Sequence, residues 1–106
     1  MAHNRLVVDV ETFGARVRRE RLGLQMTQRQ LAERVKVGVP HISKVEADRE
    51  SPSDGLIERL AAVFNVDVDE LFIVARRLPE SMVEKFAVDP ARAAAHLREW
   101  PAPAWR

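Results

Sequence analysis

The chain has 106 residues, a length typical of one small domain with a short extension, which excludes a multi-domain enzyme. Its 46% hydrophobic and 31% charged residues are ordinary for a globular protein and exclude a wholly disordered chain. The sequence contains no cysteine, which excludes disulfides, thiolate zinc sites and cysteine nucleophiles. No apolar run approaches the ~20 residues of a membrane span and no signal-peptide pattern follows Met1, so we expect a cytoplasmic protein without a membrane partner.

The net charge of +1 hides an uneven distribution along the chain. Residues 16–49 contain nine basic and four acidic residues, a net charge of +5. Residues 50–75 contain one basic and six acidic residues, a net charge of −5. The basic segment suits a polyanionic partner such as nucleic acid, although the charges alone are equally compatible with an ordinary solvated surface.

The first predicted elements are a short strand or ordered lead-in at residues 5–10 and a helix that begins near Val10. Four apolar residues of this helix fall on one stripe and are expected to face the core: Val10, Phe13, Val17 and Leu24. Arg21 lies on the same stripe. A guanidinium in that position needs an acidic partner.

Two short helices follow, and each has a recognisable first residue. Thr27 and Gln30 form a capping box, in which each side chain bonds the backbone of the other, so a helix begins at Thr27. Gly38 caps a second helix whose buried stripe includes Ile42. The few residues around Lys36 allow only a tight turn between the two helices. The sequence therefore predicts a helix-turn-helix arrangement.

Two more helices are predicted after the basic segment. Ser53 caps the first of them, and Asn65, which tolerates the left-handed conformation, ends it. Asp67 and Glu70 form the cap pair of the next helix, which is expected to reach Arg77. Together with the three preceding helices these make an all-α bundle of five.

The C-terminal part of the chain is predicted to be a helical extension. Prolines favour the first position of a helix, so residues 79–86 and 90–100 are each expected to be helical. Residues 101–106 contain two more prolines and are expected to be extended. The extension carries a set of large apolar residues that is too large to leave in water: Met82, Phe86, Leu97, Trp100 and Trp105.

The stretch from Arg18 to Asp48 resembles the lambda-repressor-like (Cro/CI, XRE) family of helix-turn-helix regulators. The resemblance is carried by Thr27-Gln28-Arg29-Gln30-Leu31-Ala32 and by Ile42-Ser43-Lys44-Val45-Glu46, and it extends over roughly residues 10–75. It implies a five-helix DNA-binding bundle in which the helix from Gly38 to Glu46 lies in the major groove. The implied organisation is a lead-in at 1–9, a DNA-binding domain at 10–77 and an extension at 78–106.

Candidate contacts to double-stranded DNA follow from this resemblance and from helix geometry. Four residues share the face of the third helix that is expected to read bases: Val39, Pro40, Ser43 and Lys44. Six residues are expected to meet phosphates: Arg18, Thr27, Gln28, Arg29, His41 and Arg49. Arg21 and Glu46 match the ion pair of the family, whose role is structural.

The sequence departs from the family pattern in its turns and in the third helix. Gln25 and Lys36 stand where the family commonly has glycine, and Asp48 stands where a glycine usually ends the recognition helix. Pro40 lacks a backbone donor and offers only apolar contact to a base. The fold is expected to stay intact, because Asp tolerates the left-handed conformation. Pro40 narrows the expected readout to Lys44 and to DNA shape.

The resemblance implies a transcriptional regulator without a cofactor, and we expect a repressor that acts as a homodimer on a palindromic operator. No enzyme is predicted, and no metal site either, because His3, His41 and His96 lack ligand-like spacing. The apolar extension is expected to form the dimer interface. Two alternatives remain open: it packs back on the bundle, or it docks a partner protein such as a toxin or a regulatory protease.

Overall fold

The computed structural model describes residues 10–100, which form seven helices and no strand. The helices are α1 (Phe13–Gly23), α2 (Gln28–Val35), α3 (Val39–Glu46), α4 (Asp54–Phe64), α5 (Val68–Val74), α6 (Glu80–Val88) and α7 (Pro90–Glu99). The all-helical class is therefore confirmed, with seven helices rather than five because the extension contributes two. The expected lead-in, except Val10, and the expected extended end at 101–106 lie outside the described residues.

Side-chain caps fix where α2 and α4 begin. The Thr27 hydroxyl accepts a hydrogen bond from the Gln30 backbone N–H (3.0 Å), and the Gln30 side chain accepts one from the Thr27 N–H (2.8 Å). This capping box confirms the predicted start of α2. Ser53 caps α4 by accepting from the Leu56 N–H at 3.1 Å, also as expected. Each cap satisfies a backbone donor that the first turn of a helix leaves without a partner.

The cap of α5 differs from the prediction. Asp67 accepts from the backbone N–H of Asp69 (2.8 Å), and no reciprocal bond from Glu70 completes a box. The Glu70 carboxylate instead accepts a hydrogen bond from Arg16 Nη2 at 2.7 Å. The expected cap residue Asp67 is therefore confirmed, whereas the expected role of Glu70 in the cap is wrong, because the buried Arg16 guanidinium of α1 draws its carboxylate into a tertiary contact.

Several helix boundaries differ by a few residues from those predicted. The first helix begins at Phe13 rather than near Val10, because Thr12 is its N-cap. The fifth helix ends at Val74 and does not reach Arg77. Its early end accompanies the left-handed backbone of Arg76, whose φ is 61°. At both ends of the bundle, caps and turns thus set the helix boundaries in place of the hydrophobic periodicity of the sequence.

The hydrophobic core lies among α1–α5. Its fully buried side chains are Val17, Leu31, Val35, Ile42, Val45, Leu56, Ile57, Leu60 and Leu71. The stripe predicted for α1 is correct for Phe13 and Val17, which are buried, and wrong for Val10 and Leu24, which are 67% and 48% exposed. Both exceptions lie outside the helix, where the helical periodicity no longer determines which way a side chain points.

The extension forms a separate helical pair. Helices α6 and α7 make their main contacts with each other, and neither contains a buried residue. Pro79, at the start of α6, is buried. This arrangement does not favour the alternative in which the extension packs back on the bundle, because its apolar side chains stay partly or largely exposed.

Within residues 10–100, five residues other than glycine have a left-handed backbone: Gln25, Lys36, Asp48, Asn65 and Arg76. Gln25 and Lys36 flank α2, and Asp48 follows α3. At these three positions the family that the chain resembles commonly has glycine. The left-handed turn is therefore kept although the residue is not glycine, at a cost in backbone strain.

Replacing Lys36 by glycine is expected to raise the free energy of unfolding by about 0.5 to 1 kcal/mol. Lys36 has φ 60° and ψ 47°, which a residue with a β-carbon adopts only at a cost. Thermal or urea unfolding measures the change. Arg34→Gly in the same helix is the control and is expected to destabilise by about 1 kcal/mol, because its backbone is helical. Equal losses for both variants would contradict strain at Lys36.

Candidate nucleic-acid interface

Helix α3 turns one face to the core and the other to solvent. Ile42 and Val45 are 0% and 1% exposed and anchor the inner face. Pro40, Ser43 and Lys44 are exposed on the outer face. A helix that is anchored on one face and carries exposed side chains on the other has the shape that enters a major groove.

Two residues near the start of α3 limit what this face can read. Val39, predicted as a base contact, is only partly exposed and packs against the core cluster. Pro40 lies in the first turn, where the missing N–H leaves no helical hydrogen bond unmade. The proline is therefore compatible with the helix, and the polar groups available to a base are those of Ser43 and Lys44.

A buried ion pair holds the end of α3 against α1. Arg21 donates to Glu46 through Nε (2.7 Å) and Nη2 (3.0 Å), and its Nη1 donates to the Met26 carbonyl at 2.8 Å. Gln28 Nε2 donates to the same Glu46 carboxylate at 3.1 Å. The arginine on the predicted core stripe thus has its acidic partner. One carboxylate connects α1, α2 and α3, which fixes the orientation of the exposed face.

A second contact joins the N-terminus of α1 to the end of α3. The backbone N–H of Gly14 donates to the Asp48 carboxylate at 2.9 Å. A β-carbon at Gly14 would lie 2.5 Å from the Glu46 carbonyl oxygen and 2.6 Å from that of Val45. Only glycine permits this approach. Sequence reasoning missed this contact, for which the one available signal was a glycine in the first turn of a predicted helix.

The residues predicted to meet phosphates have different surroundings. Arg18, Arg29 and Arg49 are exposed and have no salt bridge within residues 10–100. Thr27 is exposed, with its hydroxyl in the α2 cap. Gln28 is partly exposed and engaged with Glu46 as described above. The three arginines therefore carry charges that are available to a polyanion.

His41 is held by an acidic residue that sequence reasoning did not identify. Its Nδ1 lies 2.6 Å from Glu50 Oε2, and both side chains are partly exposed. A phosphate that approaches His41 meets the Glu50 carboxylate as well. His41 is therefore a weaker phosphate ligand in this structure than the three exposed arginines.

Two other arginines of α1 are occupied by carboxylates. Arg16 is buried and pairs with Glu20 and Glu70, each at 2.7 Å. Arg19 donates two hydrogen bonds to Glu11 (2.8 and 2.9 Å), which lower the pKa of that carboxyl. Of the basic residues at positions 16–19, Arg18 is thus the one whose charge is available to DNA.

The apolar residues of the extension lie on the helical pair. Met82 and Phe86 on α6 are half-buried, whereas Leu97 and Trp100 are 44% and 67% exposed. Trp105 lies outside the described residues. Within residues 10–100 there is no cluster of side chains suited to a metal ion, and no helix is long and apolar enough to cross a membrane.

Comparisons with known proteins identify a family for the bundle. The model of the family described as Helix-turn-helix matches residues 17–71, which run from α1 into α5 and include all of α2 and α3. Among solved structures, the chain is similar to the clp gene regulator ClgR from Corynebacterium glutamicum, with 26% identity and a TM-score of 0.55. The similarity covers 92% of this chain and 97% of that one. No curated protein sequence gave a significant match.

Proposed function

The chain belongs to the Cro/C1-type helix-turn-helix family of DNA-binding transcription regulators, and from this premise we propose that it represses transcription as a homodimer on a palindromic operator. The similarity to a gene regulator supports the proposal. The observation that carries it is the outer face of α3, where Pro40, Ser43 and Lys44 are exposed on a helix fixed by its buried side.

Specificity is assigned to the side chains of this face. The Lys44 ammonium donates to guanine O6 or N7, which are acceptors in the major groove. Ser43 offers a hydroxyl, and Pro40 offers an apolar surface that suits a thymine methyl. Val39 offers only a small apolar contact to a base, because its side chain is half-buried against the core.

Affinity is assigned to the exposed arginines. Arg18, Arg29 and Arg49 neutralise phosphates and release counterions, a term that depends on salt and not on sequence. The N-terminus of α2, with Thr27 and Gln28, adds backbone donors and a positive dipole end for a phosphate. His41 binds a phosphate only if that phosphate displaces the Glu50 carboxylate from the imidazole ring of His41.

Lys44→Ala is expected to weaken binding to the preferred operator by about 1 to 3 kcal/mol and to relax one base position. Arg18→Ala is the matched comparison, because it removes an exposed charge from outside α3 and is expected to weaken all sequences alike. Titration of labelled operator and random duplexes measures both. Equal losses on the two duplexes for Lys44→Ala would refute its assignment to a base.

The homodimer is assigned to the exposed apolar face of α6 and α7. Leu97 and Trp100 are exposed and Met82 and Phe86 are half-buried, so the described chain leaves part of this apolar set uncovered. A two-fold interface buries such a face against its own copy. It also brings two α3 helices to successive major grooves, about 34 to 36 Å apart, which matches a palindrome.

A Leu97→Glu, Trp100→Glu double variant is expected to sediment as a 12.1 kDa monomer, whereas the unchanged protein sediments at twice that mass. Buried carboxylates at a dimer contact oppose association. The control is Leu22→Glu, at a residue that is 52% exposed on α1 and therefore on neither helix of this face. If the unchanged protein is already a monomer, the dimer assignment fails and the alternative of a partner-controlled regulator takes its place.

A further inference from the structure

A groove lies between the bundle and the start of the extension. Its volume is about 780 Å³, and helices α4, α5 and α6 with the segment between α5 and α6 form its walls. The apolar part includes Val68, Phe72 and Val83, and carboxylates of Glu58, Asp69 and Glu80 lie along it. We call it the acidic groove.

The charge of the acidic groove is not neutralised within the described chain. Arg77 also lines it, but its guanidinium donates to the Asp54 carboxylate (3.0 Å) and to the Ser51 hydroxyl (2.7 Å). Glu58, Asp69 and Glu80 form no salt bridge with any residue between 10 and 100. The apolar part of the groove therefore lies beside three carboxylates that have no basic partner among the described residues.

The acidic groove is separate from both surfaces already assigned. Helix α3 packs against α1 and α2, whereas the groove is built on α4, α5 and α6. The proposed dimer face consists of Met82, Phe86, Leu97 and Trp100, none of which lines the groove. The groove therefore shares no residue with either of the two proposed surfaces.

We propose that the acidic groove docks a basic amphipathic helix of a second protein while α3 is on DNA, an inference that relies on the proposed function for the DNA-bound state. An amphipathic helix lays its apolar stripe into an apolar groove. Lysine or arginine residues on the flanks of that stripe pair with Glu58, Asp69 and Glu80. A second copy of this chain is the less suitable occupant, because the proposed dimer already uses Leu97 and Trp100, the exposed apolar residues of the last helical turn and its cap.

The probe is an 18-residue synthetic peptide of leucine and lysine, with leucines at helical positions i, i+3, i+4 and i+7. Fluorescence anisotropy measures its binding to the full chain, both free and bound to DNA, and a titration with DNA alone is the control, because lysines also bind phosphates directly. A peptide of the same composition in shuffled order keeps the charge and loses the apolar stripe. We expect the amphipathic peptide to bind at least tenfold more tightly than the shuffled one.

Variants locate the binding. Glu58→Lys is expected to weaken the amphipathic peptide about tenfold, since it replaces an attraction by a repulsion, and Val83→Ser is expected to weaken it severalfold. Glu33→Lys is the matched control, because it makes the same charge change on an exposed residue of α2 outside the groove. It is expected to change the affinity less than twofold.

The proposal would be overturned if the amphipathic peptide did not bind, if the shuffled peptide bound equally well, or if Glu58→Lys and Glu33→Lys had equal effects. Conversion of the protein from dimer to monomer by Glu58→Lys would also overturn it, because a second copy would then be the occupant. Loss of operator binding with the peptide affinity unchanged would instead count against the proposed function alone.

Discussion

Glu46→Ala is expected to lower the free energy of unfolding by about 3 to 5 kcal/mol, the largest loss expected from any single substitution outside the apolar core. The Glu46 and Arg21 side chains are only 5% and 10% exposed. Removing the carboxylate leaves the guanidinium buried with one acceptor, the Met26 carbonyl, and leaves Gln28 without its partner. Urea unfolding followed by circular dichroism measures the loss.

The control for this prediction is Glu11→Ala. Glu11 also forms a bidentate pair with an arginine of α1, Arg19, but the two side chains are 36% and 59% exposed. Water and salt screen such a pair, so the loss is expected to be far smaller. A double replacement of Arg21 and Glu46 by leucine is expected to recover much of the stability lost by Glu46→Ala, because it leaves no unpaired charge. Equal losses at Glu11 and Glu46 would contradict a structural role for the buried pair.

Gly14→Ala is expected to destabilise the fold by about 1 to 3 kcal/mol, although alanine is the better helix former. Its β-carbon would lie 2.5 Å from the Glu46 carbonyl oxygen, 2.6 Å from that of Val45 and 2.8 Å from Asp48 Oδ1. Two of these atoms belong to the backbone of α3 and cannot rotate away. Helix α3 must therefore shift, so operator affinity is expected to fall together with the unfolding temperature.

Gly23→Ala is the control for Gly14. It makes the same change at the other end of α1, where no atom lies within 4 Å of the added β-carbon. Its expected effect is a stabilisation of up to about 1 kcal/mol from helix propensity alone. If Gly14→Ala were as stable as Gly23→Ala, the close approach of α1 and α3 would not constrain the recognition helix.

The parts of the fold that the sequence predicts are those set by neighbouring residues. Caps at Thr27 and Ser53 act within one turn, so their signals are complete in four residues. The partner of Arg21 could also be predicted. Hydrophobic periodicity indicated only that Arg21 needs an acidic partner, and the family resemblance identified that partner as Glu46. The outward face of α3 followed from helix geometry for Pro40, Ser43 and Lys44.

The parts that escaped prediction depend on contacts between distant residues. Nothing near Glu70 in the sequence indicates that Arg16 binds it, and the cap expected there was wrong for that reason. The approach of Gly14 to Asp48 joins residues 34 positions apart. The pairing of His41 with Glu50 crosses the turn after α3, where the left-handed Asp48 sets the direction of the chain.

Selection of bound DNA from a randomised duplex library at about 150 mM salt tests whether α3 reads a DNA sequence, because non-specific binding, with a Kd of ~10⁻⁴ to 10⁻⁶ M, is washed out. We predict a palindromic motif with half-sites one helical turn apart, and the relaxation of one symmetric base position when the selection is repeated with Lys44→Ala. A folded protein that enriches no motif, or a motif that Lys44→Ala leaves unchanged, would contradict sequence readout by the exposed face of α3.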